Sequence, residues 1–397
     1  MNKLIITKKD GRYLTALQAD HVMVELHLED ENTVLGNIYI GKVKNIVKNI
    51  NAAFVDYQEQ KTGYYSLTEN PVSLFGRPSA GSLKSGDEII VQVERDAVKT
   101  KDPGLTANLT FTGKYAVLTA GKHVLGFSAK IHDDKYKEML RRELAPMLEG
   151  KAGVIIRTNA YTADIELVKE EINRLLAIYQ KLLSDAAFRT CYSLLYQANP
   201  GYLSTLKNCP DHSLEQIITD QPEVFDTCHA YLSLYQPNDL DKLLLYQDDS
   251  ISLNSLYGID SIFCQALQKR VWLKSGGYLI IEQTEAMVVI DVNTGKYSKK
   301  NNMPDTIRQI NKEAALEICR QLRLRNLSGI IVIDFIDMKT AEEKQQLLGL
   351  LKYCAARDPV KTTVVDMTAL NLVEITRRKW RRPLAEQLKN QDHNKGE

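Results

Sequence analysis

At 397 residues, with 44% hydrophobic and 25% charged side chains, the chain has the composition of a folded protein of two to four structural units, not of a fibrous or disordered one. A net charge of +1 requires any polyanion to be met by local basic clusters. No apolar run reaches the roughly 20 residues that span a membrane, no signal-peptide core precedes Lys8-Lys9-Asp10, and the six cysteines form no C-x-x-C pair, which predicts a cytoplasmic protein with reduced thiols, no membrane partner and no disulfide framework.

In chain order, residues 1 to about 100 are mostly β. Alternation of apolar and polar side chains runs through Val22–Leu28 and Asn37–Val43, and shorter runs follow at Ala52–Tyr57, Gly63–Leu67 and Glu88–Val93. Short strands at such spacing, separated by Gly, Asn and Lys turns, predict a small barrel. Residues 105–190 change to short strands and then helices. Ala152–Ile156 is an apolar strand ending in Arg157-Thr158, and Ala163–Ser184 has helical periodicity. Residues 200–275 are Tyr-rich and show little period.

From Gly276 the pattern sharpens. Leu279–Ile281 and Met287–Asp291 read as paired strands. A helix opens at Pro304, buries Ile307, Ile310, Ala314, Ile318 and Leu322, and stops at Leu327-Ser328-Gly329. Ile330–Asp334 reads as a fully buried strand, and Thr362–Asp366 as a third after a helix over Ala341–Ala356. Strand, helix, strand, helix, strand predicts a parallel α/β layer.

Asp291 and Asp334 each end a run of β-branched residues. If those strands are parallel, both carboxylates leave the sheet at one carboxyl edge. Two close carboxylates without neighbouring His or Cys call for a hard cation, Mg²⁺ or Mn²⁺. Asn293 lies two residues on and faces the same side. The plainer reading of each aspartate alone is a turn or helix cap, and Asp337 also reads as the cap of the following helix. Basic groups surround the stretch: Lys296, Lys299 and Lys300, then Arg320, Arg323 and Arg325, then the run Arg377–Arg382. Each is a solvated face if taken singly; together they suggest that a polyanion passes here.

With these residues aligned, the sequence resembles the ribonuclease E/G family. The resemblance rests on Gln283–Asn293 and on Leu322–Met338, and continues in the same order of elements from about Gly36 to Arg382. It implies a multidomain α/β and α+β fold. Residues 1–34 and 200–275 would make a discontinuous ribonuclease H-like structural subdomain, 35–107 an OB-fold RNA-binding barrel and 108–199 a 5′-phosphate sensor. Residues 276–385 would make a DNase-I-like α/β catalytic domain, with 386–397 a polar tail.

The same resemblance implies the activity and the roles. The chain would be a Mg²⁺-dependent endoribonuclease (Mn²⁺ being the substitute), cutting single-stranded A/U-rich RNA to 5′-phosphate and 3′-hydroxyl products in mRNA decay and rRNA processing. Asp291 and Asp334 would hold the metal, and Asn293 would orient the scissile phosphate or the attacking water. Phe54 and Tyr64 would stack on a base near the cut, although spacing alone favours Phe54 as barrel core. Arg95 and Lys101 would follow the RNA path, and Gly113, Val117, Arg157 and Thr158 would receive a 5′-monophosphate. Relatives carry a C-P-x-C-type motif that shares zinc between protomers. No cysteine follows Cys354 here, so zinc and a zinc-linked assembly are not expected, while a homodimer of another kind stays open. The alternative reading is an RNA-binding protein that cleaves little or not at all; a third is a metal-dependent phosphoesterase acting on DNA or a small ester.

Overall fold

The computed structural model describes residues 2–74, 83–95, 102–121, 124–148, 152–210, 213–295, 303–379 and 381–388. Lys101, Lys296, Lys299, Lys300 and Trp380 therefore lie outside the described residues. Two compact units emerge: Met1–Glu31 with His212–Glu397, and Asn32–Asp211. Among the described residues no helix is long and apolar enough to cross a membrane.

The chain opens with an antiparallel meander, β1 (Asn2–Lys9), β2 (Arg12–Ala19) and β3 (Val22–Glu29). Its tight turns place Asp10, Gly11, Asp20 and His21 at positive φ, the twist that two-residue hairpin loops need.

The second unit begins with β4 (Ile38–Val47), β5 (Ala52–Gln58), β6 (Lys61–Ser66), β7 (Glu88–Arg95) and β8 (Gly104–Thr106). They are ordered β4-β5-β6-β8-β7 and β7 pairs back to β4, giving a closed five-strand barrel consistent with an OB-fold. Tyr39, Val55, Tyr65, Ile89, Val91 and Leu105 fill its interior. A second sheet follows, made of β9 (Thr110–Thr112), β10 (Ala116–Thr119), β11 (Leu125–Phe127) and β12 (Gly153–Ile156). Helices α1 (Asp134–Leu148) and α2 (Ile165–Ala186) share its core, burying Leu140 and Leu144, and Val168, Ile172 and Leu176. Strand β13 (Leu194–Tyr196) pairs with β4, and α3 (Gly201–Asn208) closes the unit.

Back in the first unit, β14 (Gln216–Thr219), α4 (Pro222–Tyr235) and β15 (Leu243–Leu245) supply the structure that periodicity did not show. The resulting sheet has the order β3-β2-β1-β14-β15, with β14 and β15 parallel to β1. Phe263, on a helix after α5 (Leu253–Leu256) named α6 (Ile259–Leu267), packs into its core beside Ile5, Leu14 and Leu26.

The last sheet differs from the parallel layer that the sequence predicts. Its strands are β16 (Arg270–Trp272), β17 (Tyr278–Gln283), β18 (Met287–Asn293), β19 (Gly329–Asp334), β20 (Thr362–Met367) and β21 (Leu372–Arg377). The order is β16-β17-β18-β19-β21-β20, and only β18–β19 is a parallel pair. A tight turn with Asn371 at φ 64° sends β21 back between β19 and β20. Nor are the strands fully buried. Val288, Ile290, Val292, Ile331 and Ile333 pack with Ile310, Ala314 and Ile318 of α7 (Met303–Leu324) and Leu347 and Leu351 of α8 (Ala341–Arg357). Their neighbours Met287, Val289 and Ile330 face outward. Among the described residues, helices therefore cover one face and leave the other open.

Helix α7 stops earlier than the Leu327–Gly329 reading. Asn326 takes the left-handed conformation and the Leu327 N–H bonds back to the Leu322 carbonyl. Below the sheet, Arg377 and Asp358 form a buried pair at 2.8 Å, with side chains 3% and 6% exposed.

Candidate functional site

The parallel register sets Asp291 directly beside Asp334. Inward positions on both strands are taken by Ile290 and Ile333, so alternation turns the two carboxylates onto the open face. The Asn293 amide donates to Asp291 Oδ2 at 2.7 Å. Partial burial pushes the Asp334 carboxyl up from its ordinary range, and the negative charges of Asp291 and Asp337 add to that. The pair thus carries repulsion that a cation relieves, with oxygen donors alone, which suits a hard divalent metal. Among the described residues, no third His, Cys, Asp or Glu gathers with them into a three-ligand cluster.

Two supports were not legible in the sequence. Asn311, 1% exposed on the inner face of α7, donates to the Ile336 carbonyl at 2.7 Å and accepts the Ile336 N–H at 3.2 Å, fixing the loop that leaves Asp334. A polar residue within an apolar helical stripe is the signal that marks it. Gly295, at φ +58°, packs so tightly on Gly276 that a Cβ would strike its carbonyl oxygen, and this holds the strand beyond Asn293. Asp337 is not the cap of α8: Thr340 and Glu343 form a capping box there, while Asp337 accepts from Asn371 at 3.4 Å.

Arg320, Arg323, Arg325 and Arg377 do not face a polyanion as the sequence suggests. Arg320 is held by Glu317 and the Met23 carbonyl, and Arg323 by Glu25. Arg325 is buried against Gln321 and the Gln268 carbonyl, and Arg377 pairs with Asp358. Each guanidinium is committed to structure. A cavity of about 250 Å³ lies on the helical side, lined in part by Cys319, Cys354, Arg320 and Tyr353. The carboxylates take no part in it, so the acidic edge is a surface feature.

On the barrel, Phe54 and Tyr64 are direct cross-strand partners with ring centroids 6.2 Å apart and planes at 80°. Ala53, Val55, Gly63 and Tyr65 take the inward positions, so Phe54 is half-buried on the outer wall and not in the core. Tyr64 is also opposite Gly104, and Gly104 opposite Arg95. Phe54, Tyr64 and Arg95 thus lie on one outer row. Lacking a Cβ, Gly104 leaves room for the Arg95 side chain to cross it, and Arg95 meets Glu69 at 3.4 Å.

The Arg157 corner joins two turns at one end of the second sheet. Arg157 follows β12 and Gly113 precedes β10; the Arg157 N–H bonds the Tyr115 carbonyl at 2.8 Å. Its guanidinium donates to the carbonyls of Gly113 and Lys114 and to Asn208 Oδ1. Thr158 is exposed, its hydroxyl 3.0 Å from that of Ser128, and Val117 sits half-buried on β10. Sequence reading missed the frame. The Glu171 carboxylate, 4% exposed, accepts the N–H groups of Lys114, Tyr115 and Ala116 at 2.7–2.9 Å, and a Cβ on Gly113 would overlap it. Lys207 Nζ bonds the Thr112 carbonyl at 3.1 Å. Burial lowers the Lys207 ammonium to about 8, with Glu171 opposing the shift and Arg157 adding to it.

Comparison with known proteins agrees with the alignment of motifs. The profile of the Ribonuclease E/G family matches residues 110–380. The chain is 33% identical over 382 residues to Ribonuclease G of Haemophilus influenzae, covering 93% of this chain and 78% of that protein. With Ribonuclease G of Escherichia coli K12 the identity is 32% over 383 residues, with the same coverage. It is 30% identical over 387 residues to Ribonuclease E of Synechocystis, covering 96% of this chain and 57% of that protein.

Proposed function

This chain belongs to the ribonuclease E/G family, and from that premise we propose that it is a Mg²⁺-dependent endoribonuclease acting on single-stranded, A/U-rich RNA. The observation that carries the reading is the parallel pairing of Asp291 with Asp334 on an open sheet face. Such a face admits a polymer along its length, whereas a closed pocket admits a small ester. In this reading Asp291 and Asp334 hold the metal, and Asn293, anchored on Asp291, orients the phosphate or the water that attacks it. When bound, the metal neutralises charge building on the phosphate and acidifies the attacking water. The products carry a 5′-phosphate and a 3′-hydroxyl, the place of action is the cytoplasm, and the role is RNA processing and decay.

The remaining assignments follow the same logic. The closed barrel would bind RNA, with Phe54 and Tyr64 offering ring faces and Arg95 a cation beside them. The order β3-β2-β1-β14-β15 supports the ribonuclease H-like subdomain, and the β16–β21 sheet with its two helices supports a DNase-I-like catalytic layer. Arg157 and Thr158, with Gly113 and Val117, would receive the 5′-monophosphate, whose extra charge an internal phosphodiester lacks.

One assay tests the whole. Short single-stranded RNA with a 5′-monophosphate or a 5′-hydroxyl is incubated with the protein and with Asp334→Asn, in Mg²⁺ or EDTA. Cleavage is expected only for the unaltered protein in Mg²⁺, and faster on the monophosphate. Cleavage that survives both EDTA and the substitution removes the metal from the mechanism. Binding without any cleavage leaves an RNA-binding protein.

A further inference from the structure

The open face that bears Asp291 and Asp334 extends to the edge strand β16, where it carries an aromatic group that the site described above does not use. Trp272 is opposite Tyr278, and Tyr278 is opposite Asn293. In the adjoining row, Arg270, Ile280, Asp291 and Asp334 follow one another across four strands. Direct cross-strand partners share a face and stand about 5 Å apart. Trp272 therefore lies roughly 10 Å from Asn293, the span of a nucleotide or two.

Trp272 is 63% exposed, unusual for so large an apolar ring. It is nevertheless held in place. Its ring meets Tyr278 edge-on at 5.3 Å, and the Arg270 guanidinium lies 4.7 Å from the Tyr278 ring and 5.7 Å from the Trp272 ring. A fixed ring facing solvent beside a cation is the arrangement that stacks an unpaired base and meets its phosphate. With Arg320, Arg323, Arg325 and Arg377 committed to carboxylates, carbonyls and an amide, Arg270 supplies positive charge on the face where the carboxylates lie.

We propose that Trp272, Tyr278 and Arg270 form a nucleotide subsite that stacks an unpaired base of the RNA strand flanking the bond cut at Asp291 and Asp334. The subsite rests on the ribonuclease reading for its ligand but on its own residues for its geometry. Trp272 and Tyr278 supply the ring faces, and Arg270 pairs with the adjacent phosphate.

The test uses the full chain in two forms. In the Asp334→Asn protein, single-stranded RNA carrying 2-aminopurine at successive positions is bound, and quenching is expected where the probe flanks the cut site. Trp272→Ala should abolish that quenching and Trp272→Phe should keep it. In the cleaving protein, Trp272→Ala should raise KM by about 5- to 100-fold, with kcat changed less. Arg270→Gln should lower the salt dependence of binding by about one phosphate contact, an independent reading if Trp272→Ala melts early. A Trp272→Ala protein with unaltered quenching, KM and cut position overturns the subsite and leaves the ribonuclease reading standing. Position-specific quenching by a protein that cuts nothing keeps the subsite and overturns the ribonuclease reading.

Discussion

The acidic edge and the Arg157 corner handle charge in opposite ways. At the edge, Asp291 and Asp334 stand side by side on an exposed face, and the Asn293 amide donates to Asp291. At the corner, three charged groups are tied inward: Arg157 to two carbonyls and Asn208, Glu171 to three N–H groups, Lys207 to Thr112. The edge stores repulsion for a cation to relieve, which costs stability in the metal-free fold. The corner is preorganised, so its charges also hold up the structure around them. Substitutions at the two places should therefore differ in kind, one in activity without loss of fold, the other in fold first.

The largest effect is expected at the edge. Asp291→Asn or Asp334→Asn should lower the cleavage rate about a thousandfold or more, the scale of several kcal/mol of lost charge stabilisation. In EDTA the melting temperature should stay level or rise, because a like-charge neighbour has gone. A clear fall in melting temperature would break the contrast. Next is Glu171→Ala, which strands three N–H groups and leaves Lys207 without its counter-charge. It should cost about 3 kcal/mol or more in urea unfolding. A loss under about 1 kcal/mol would show that water satisfies the loop as well as the carboxylate does.

A smaller effect is expected of Arg157→Lys. A point charge replaces a planar fork, so the preference for a 5′-monophosphate over a 5′-hydroxyl should fall about tenfold in relative cleavage rate. Retention of the full preference would move the 5′-end site elsewhere. The smallest effect concerns Lys207, whose folded-state value of about 8 lies below the ordinary 10.5. Between those values the unfolded chain binds more protons, so stability should rise with pH from about 8 towards 10.5. Denaturant midpoints across that window should show the slope for the unaltered protein and lose it in Lys207→Met.

Much of the edge was legible because it depends on local pattern. β-Branched runs ending in Asp291 and Asp334, with one helix between them, predict two parallel strands, and the structure has them in register. Strand β21 escaped because a tight turn at Asn371, not a helix, precedes it, so the expected alternation of strand and helix hid a mixed sheet. Arg320, Arg323, Arg325 and Arg377 misled because a sequence shows which side chains are cationic but not which partners reach them. Glu25, 298 positions from Arg323, decides what that arginine does.

By itself the sequence determined the family and the strand-end placing of the two aspartates, since these lie in motifs and short periods that local backbone geometry dictates; spacing alone put Phe54 in the barrel core, and only the resemblance pointed to Phe54 and Tyr64 as a pair. Only the tertiary structure decided which face of the last sheet stays open, that Glu171 and Lys207 frame the Arg157 corner, and that Trp272 shares a row with Asn293. The corner depends on helices α2 and α3 carrying Glu171 and Lys207 to backbone groups 57 and 95 positions away. The open face and the Trp272 row depend on strand register, where a one-residue slip would turn those side chains to the opposite face.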